Sequence, residues 1–171
     1  SIFKSFENCN KDIMENNDIK SCEWLKTWCA RYPNITKTNI NIEDLRCFNE
    51  LQKIAQDTLN ERRISRLATA GTVAAAFLTD KGNVYTGVCI DVPAGMGFCA
   101  EHAAAAAMIT AGESKIVKMV ATGVDDNGCG CAPCGRCREF INSIHDDNYL
   151  CEVLLEDGTI TTIGELLPYR L

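Results

Sequence analysis

Two short segments constrain the chain more than any other feature: Cys99-Ala100-Glu101 and Pro133-Cys134-Gly135-Arg136-Cys137. Each stands at the start of a helical pattern. Residues 101–111 are alanine-rich and end at Gly112, a residue suited to the position just past a helix. Residues 134–144 set Cys137, Phe140, Ile141 and Ile144 at helical spacing. Three thiolates at these helix starts can bind Zn²⁺ tetrahedrally with the fourth position open to water, the arrangement of a catalytic rather than a structural zinc. Helix N-termini favour the thiolate form and offset negative charge at the metal. Glu101, two residues after the first cysteine, can stand beside the open position without ligating and shuttle protons to a substrate nitrogen.

The pattern along the chain supplies the layers that carry those helices. Residues 73–78 are an apolar run, Asp80-Lys81-Gly82-Asn83 is a turn, and residues 84–90 alternate around Gly87, which predicts an antiparallel hairpin. Residues 116–122, 151–155 and 159–163 read as further strands. A helix over residues 42–56 places Leu45, Phe48, Leu51, Ile54 and Ala55 on one face, with Asn41 as its cap. Strands alternating with helices imply an α/β layered domain with a mixed sheet. Ahead of it, residues 1–41 form a helical N-terminal extension: Cys22, Leu25, Trp28, Cys29 and Tyr32 make an apolar stripe beside Trp24, and a polar linker spans 33–41.

Composition removes several classes of function. Eleven cysteines are an odd number, so a complete set of intramolecular disulfides is impossible, and reduced thiols or metal ligands fit better. Residues 1–63 carry ten basic and ten acidic side chains, while residues 64–171 carry seven and thirteen, so the net charge of −6 lies in the second part. That half repels a polyanion, and a small molecule is the expected partner rather than nucleic acid. Apolar runs fall short of the ~18 residues of a spanning helix, and the first eight residues lack the basic start and apolar stretch of a signal peptide. A cytoplasmic protein without membrane attachment is expected.

A Cys or His followed two positions later by Glu, then Pro-Cys-x-x-Cys, is the recurring signature of zinc deaminases. On these residues the chain resembles the cytidine deaminase family, and within it the branch that includes blasticidin-S deaminase. The likeness runs from about residue 42 to 171 and takes in the stretch 80–88, Cys99-Ala100-Glu101, the stretch 133–138 and the terminal stretch 165–169. It implies a three-layer α/β/α fold on a five-stranded mixed sheet, with residues 42–171 as a zinc-dependent deaminase domain. It also implies one Zn²⁺ per chain on Cys99, Cys134 and Cys137, a homotetramer (or homodimer) whose subunits complete each other's sites, and hydrolytic deamination of a free cytosine-type nucleoside or analogue: cytidine, deoxycytidine or blasticidin S. In that chemistry an activated water attacks C4, and Glu101 carries its two protons, one to ring N3 and then one to the departing amine.

Three thiolates on one Zn²⁺ leave a formal charge of −1, which a hydrogen bond from Arg136 or His102 to a ligand sulfur would relieve. Arg138 is expected to be a solvated helix residue. Where the family has Asn and Glu gripping the ribose, this chain has Cys89 and Asp91, and its aromatic residue before the first strand is replaced by Ala70-Gly71-Thr72. Asp91 can accept from a hydroxyl, whereas Cys89 replaces an amide poorly. Ala100 and Pro133 are expected near the substrate, with Tyr169 as an aromatic wall. Cys129 and Cys131 extend the second motif to a four-cysteine run that also reads as a structural zinc or iron–sulfur site. A zinc-stabilised binding module without turnover and a polynucleotide cytosine deaminase are the other functional readings.

Overall fold

The computed structural model describes residues 42–124 and 130–170. The apolar stripe of residues 22–32, the linker with Asn41, the side chain of Leu45, and Cys129 lie outside the described residues. Strand β2 (Thr69–Thr79) is the pivot of the sheet. Its 11 residues pair antiparallel with β3 (Val84–Asp91) on one edge and with β4 (Ile116–Gly123) on the other. Beyond β4, β5 (Glu152–Leu154) runs parallel and β6 (Ile160–Thr162) returns antiparallel. The expected hairpin turn forms: Thr79 N–H donates to Asn83 O at 2.9 Å, with Gly82 at φ +81°.

Alternation along these strands sorts side chains into two cores. Ala75 and Phe77 join Met119, Ala121 and Val153 on one face, covered by α2 (Ala100–Thr110) and α3 (Gly135–Ser143). Ala76, Val120 and Leu154 face the other way against Phe48, Leu51 and Ala55 of α1 (Ile42–Thr58). The result is the three-layer α/β/α architecture on a mixed sheet that the sequence leads one to expect.

Three details differ from expectation. The sheet has six strands, not five, because β1 (Arg62–Arg63) pairs with the start of β2. Two exposed arginines leave no hydrophobic alternation to read. On α1 the inward stripe is Phe48, Leu51, Gln52 and Ala55, while Ile54 is 37% exposed. At 100° per residue, position 54 is turned about 120° away from position 48, whereas position 52 shares its face. A short helix α4 (Ile163–Leu166) closes the fold through a reciprocal cap: Thr162 accepts from the Glu165 N–H and Glu165 accepts from the Thr162 N–H.

Gly87 and the alanine run bring α2 down onto β3. A Cβ at position 87 would lie 2.2 Å from the Ala104 nitrogen and 2.6 Å from the Ala103 carbonyl carbon. Both obstacles are backbone, so nothing small can move aside. Gly87→Ala is therefore expected to destabilise the fold by about 3 kcal/mol or to displace α2, with the Cys99 end of that helix shifted as well. Urea unfolding checks this, and an unchanged midpoint would show that the helix does not seat as described.

The far end of α2 is fixed by a buried acid. Glu113 accepts from Asn83 Nδ2 at 2.6 Å and from the Tyr85 hydroxyl at 2.9 Å. Hydrogen bonding from Thr79, assisted by Asn83 and Tyr85, holds its carboxyl below the ordinary 4.5. A depressed folded-state pKa stabilises above the unfolded value, and that contribution disappears as pH falls through the folded one. Stability should thus drop on acidification below 4.5, and Glu113→Gln should flatten that part of the curve. Denaturation midpoints measured against pH in both proteins test it.

Candidate metal centre and cleft

Cys99 is the N-cap of α2 and Cys134 the N-cap of α3, both with extended backbone at φ −71° and −66°. Cys137 sits in the first turn of α3 and is buried. Because α2 and α3 lie side by side on one face of the sheet, their N-terminal ends meet. Cys99 Sγ is 3.7 Å from Cys134 Sγ, and Cys134 Sγ is 3.4 Å from Cys137 Sγ. The three sulfurs all lie within 4.8 Å of one another, a group that can hold a metal ion. Among the described residues, Cys131 is not part of it.

Glu101 follows in the first turn of α2, only 5% exposed yet lining the same cleft. Burial raises its carboxyl above the ordinary 4.5. Burial likewise pushes the Cys137 thiol up, as expected of a sulfur that needs a cation to ionise. His102 turns the other way, its ring stacked on Phe140 at 4.4 Å and its Nδ1 3.6 Å from Cys137 Sγ. Burial, assisted by the Arg136 charge, lowers its pKa, which favours the neutral imidazole. In the tautomer protonated at Nδ1 it donates to the sulfur.

The cleft has a volume of about 460 Å³. Cys99, Ala100, Glu101 and Cys134 line it together with Cys89, Asp91 and Phe98. Cys89 is already engaged: its sulfur accepts from the Val73 N–H at 3.3 Å and contacts Thr72 Oγ1 at 3.1 Å. Asp91 is exposed at the rim, its Oδ2 3.5 Å from Thr72 Oγ1 and 3.6 Å from Cys89 Sγ. The approach to Cys99 contains a 3-10 turn over Pro93–Gly95 and is held to β3 by two bonds between Ile90 and Phe98. Gly97 is needed there, since a Cβ would stand 2.2 Å from Ile90 O. Its role is this backbone contact.

Several candidates stand elsewhere than expected. Tyr169 is 97% exposed and does not line the cleft, because the chain past α4 leads it into solvent. The aromatic residue in the cleft is Phe98, missed because its segment reads only as a glycine-rich loop. Pro133 is buried behind the cleft, its carbonyl accepting from Arg138 Nε at 2.7 Å. Arg138 also donates to Leu166 O at 3.1 Å, so it ties α3 to α4 rather than facing solvent. Arg136 lines the cleft, whereas the contact to a cluster sulfur comes from His102.

The layers, the sheet order and the thiol cluster at two adjacent helix starts define an α/β protein of the cytidine deaminase fold. No family model matches the chain. It is 28% identical over 133 residues to the cytidine deaminase of Shewanella pealeana, covering 70% of this chain and 42% of that one. To the cytidine deaminase of Mycobacterium tuberculosis it is 37% identical over 70 residues, 40% of this chain and 51% of the other. The chain thus spans about half the length of the curated relatives it matches. The crystal structure of the Mycobacterium tuberculosis enzyme superposes with a TM-score of 0.60 at 27% identity, covering 72% of this chain and 96% of that chain. Among the described residues, no helix is long and apolar enough to cross a membrane.

Proposed function

We propose that the chain is a zinc-dependent hydrolytic deaminase of a free cytosine-type nucleoside or analogue, with residues 42–171 as its catalytic domain. Cytidine, deoxycytidine and blasticidin S are the substrates to test, each giving a uracil-type product and ammonia. The observation that carries this reading is the group of three sulfurs within 4.8 Å beside a buried carboxyl that opens on the same cleft. Their chemistry suits zinc: a tetrahedral site with Zn–S of ~2.3 Å has sulfurs ~3.8 Å apart, close to the 3.4 and 3.7 Å found here.

Cys99, Cys134 and Cys137 would hold the ion, which when bound supplies an activated water at neutral pH. Glu101 would pass one proton of that water to ring N3 and the other to the amine, which leaves as ammonia. Its buried setting supports this role, because burial raises the carboxyl's hold on a proton. His102 would fix Cys137 and draw charge from its sulfur. Asp91 is offered to a sugar hydroxyl, while Cys89, occupied by Thr72 and Val73, shapes the wall beside it. Ala100 is buried and lines the cleft, small enough to leave room for a ring.

Assembly into a homotetramer, with neighbouring subunits completing each cleft, belongs to the same proposal, and sedimentation velocity tests it. For the activity, metal analysis of the purified protein is combined with an ammonia assay on the three compounds. The expected result is one zinc per chain and ammonia from at least one of them. Iron in place of zinc, or a visible absorbance, contradicts the proposal.

A further inference from the structure

Some cations among the described residues are ion-paired and others are not. Arg46, Lys53, Lys115 and Lys118 pair with Glu50, Asp57, Asp147 and Glu152. Of the cations in no ion pair among the described residues, Arg63, Arg66 and Arg136 line two hollows beside the end of β3. Arg136 lines the cleft itself. Arg63 and Arg66, with Ser65, wall a second hollow of about 450 Å³, and Asp91 and Val92 line both. The two hollows therefore adjoin across the end of β3.

Within the second hollow the arginines differ. Arg63 donates from Nε to Ser65 O at 2.9 Å and from Nη2 to Arg66 O at 3.1 Å, which stiffens the loop. Arg66 is exposed and makes no such bond among the described residues, which leaves its guanidinium, a planar fork that matches the oxygens of a phosphate or carboxylate, available to a ligand. Asp91 at the junction suits a hydroxyl and repels an anion, so an anionic group would have to lie beyond it, on the arginine side. The thiol cluster sets where a base would sit, and a sugar reaching Asp91 would carry its substituent onward to Arg66.

We propose that the substrate site continues past Asp91 into this second hollow and takes nucleosides bearing an oxyanion on the sugar, held chiefly by Arg66. The inference rests on the deaminase reading for the base end of the site. Its test is binding to the zinc-loaded full chain, measured by calorimetry with uridine, uridine 3′- and 5′-monophosphates and the 5′-carboxylate of uridine. At least one oxyanion ligand should bind about tenfold or more tightly than uridine, and which one does so distinguishes phosphate from carboxylate. In Arg66→Ala that preference should vanish, in Arg66→Lys it should partly return, and added salt should weaken it. Equal affinity for all four ligands, or a preference untouched by Arg66→Ala, would overturn the proposal. Oxyanion-dependent binding without turnover of any cytosine counterpart would support the arginine site while failing the deaminase reading.

Discussion

Glu101→Gln should retain one zinc per chain and lose activity by about 10²–10⁴-fold, the range that a positioned general acid–base contributes. The amide has nearly the shape of the carboxyl it replaces, so the first turn of α2, where position 101 is only 5% exposed, should keep its packing. What the amide lacks is the ability to take up a proton and release it. Because Glu101 lies outside the sulfur group, the metal should be indifferent to the change. Metal analysis and turnover rates on one preparation separate the two effects. A variant that deaminates at the wild-type rate would remove Glu101 from the mechanism, and one that loses zinc would make it a ligand.

Cys134→Ala is expected to do the opposite, abolishing stoichiometric zinc and activity together. Cys134 is exposed at the N-cap of α3 and makes no side-chain capping bond, so little packing is lost with the thiol itself. The loss arises from the metal, whose binding to structural thiolate sites contributes an apparent ~10–16 kcal/mol in small zinc peptides. The fraction realised here is set by how far α2 and α3 hold together without it. The variant should melt where chelator-treated wild-type protein melts, well below the zinc-loaded form. Zinc retained at one per chain would show that the ligands have been wrongly chosen.

Much of this arrangement is legible in the sequence because it is written in local periodicity and spacing. Strand alternation locates β2 to β4, and the alanine run announces a helix that lies close on the sheet. Cys99, Cys134 and Cys137 are legible as a group because each stands at a helix start and the two helices share one layer. What escapes is set by tertiary geometry. Strand β1 is two exposed residues, so Arg62 and Arg63 carry no hydrophobic sign of it. Gln52 replaces Ile54 on the buried face of α1 because helix phase outweighs hydrophobicity there. His102 rather than Arg136 reaches Cys137, a difference decided by the stacking of His102 on Phe140 across two helices. Tyr169 and Phe98 exchange roles for a similar reason: aromatic type is visible in a sequence, but the direction of a loop is not. The cap of α4 carries a signal that the strand reading of residues 159–163 passes over: Thr162 and Glu165 have the three-residue spacing of a reciprocal cap.

The central claim, that the thiol cluster and Glu101 together deaminate a cytosine-type ring, is tested most directly by ultraviolet spectra of the zinc-loaded protein incubated with cytidine, deoxycytidine and blasticidin S. The account predicts loss of the cytosine absorbance band with at least one compound, growth of the uracil-type band in step with it, and neither change with Glu101→Gln. Unchanged spectra with all three compounds at full zinc occupancy would contradict it.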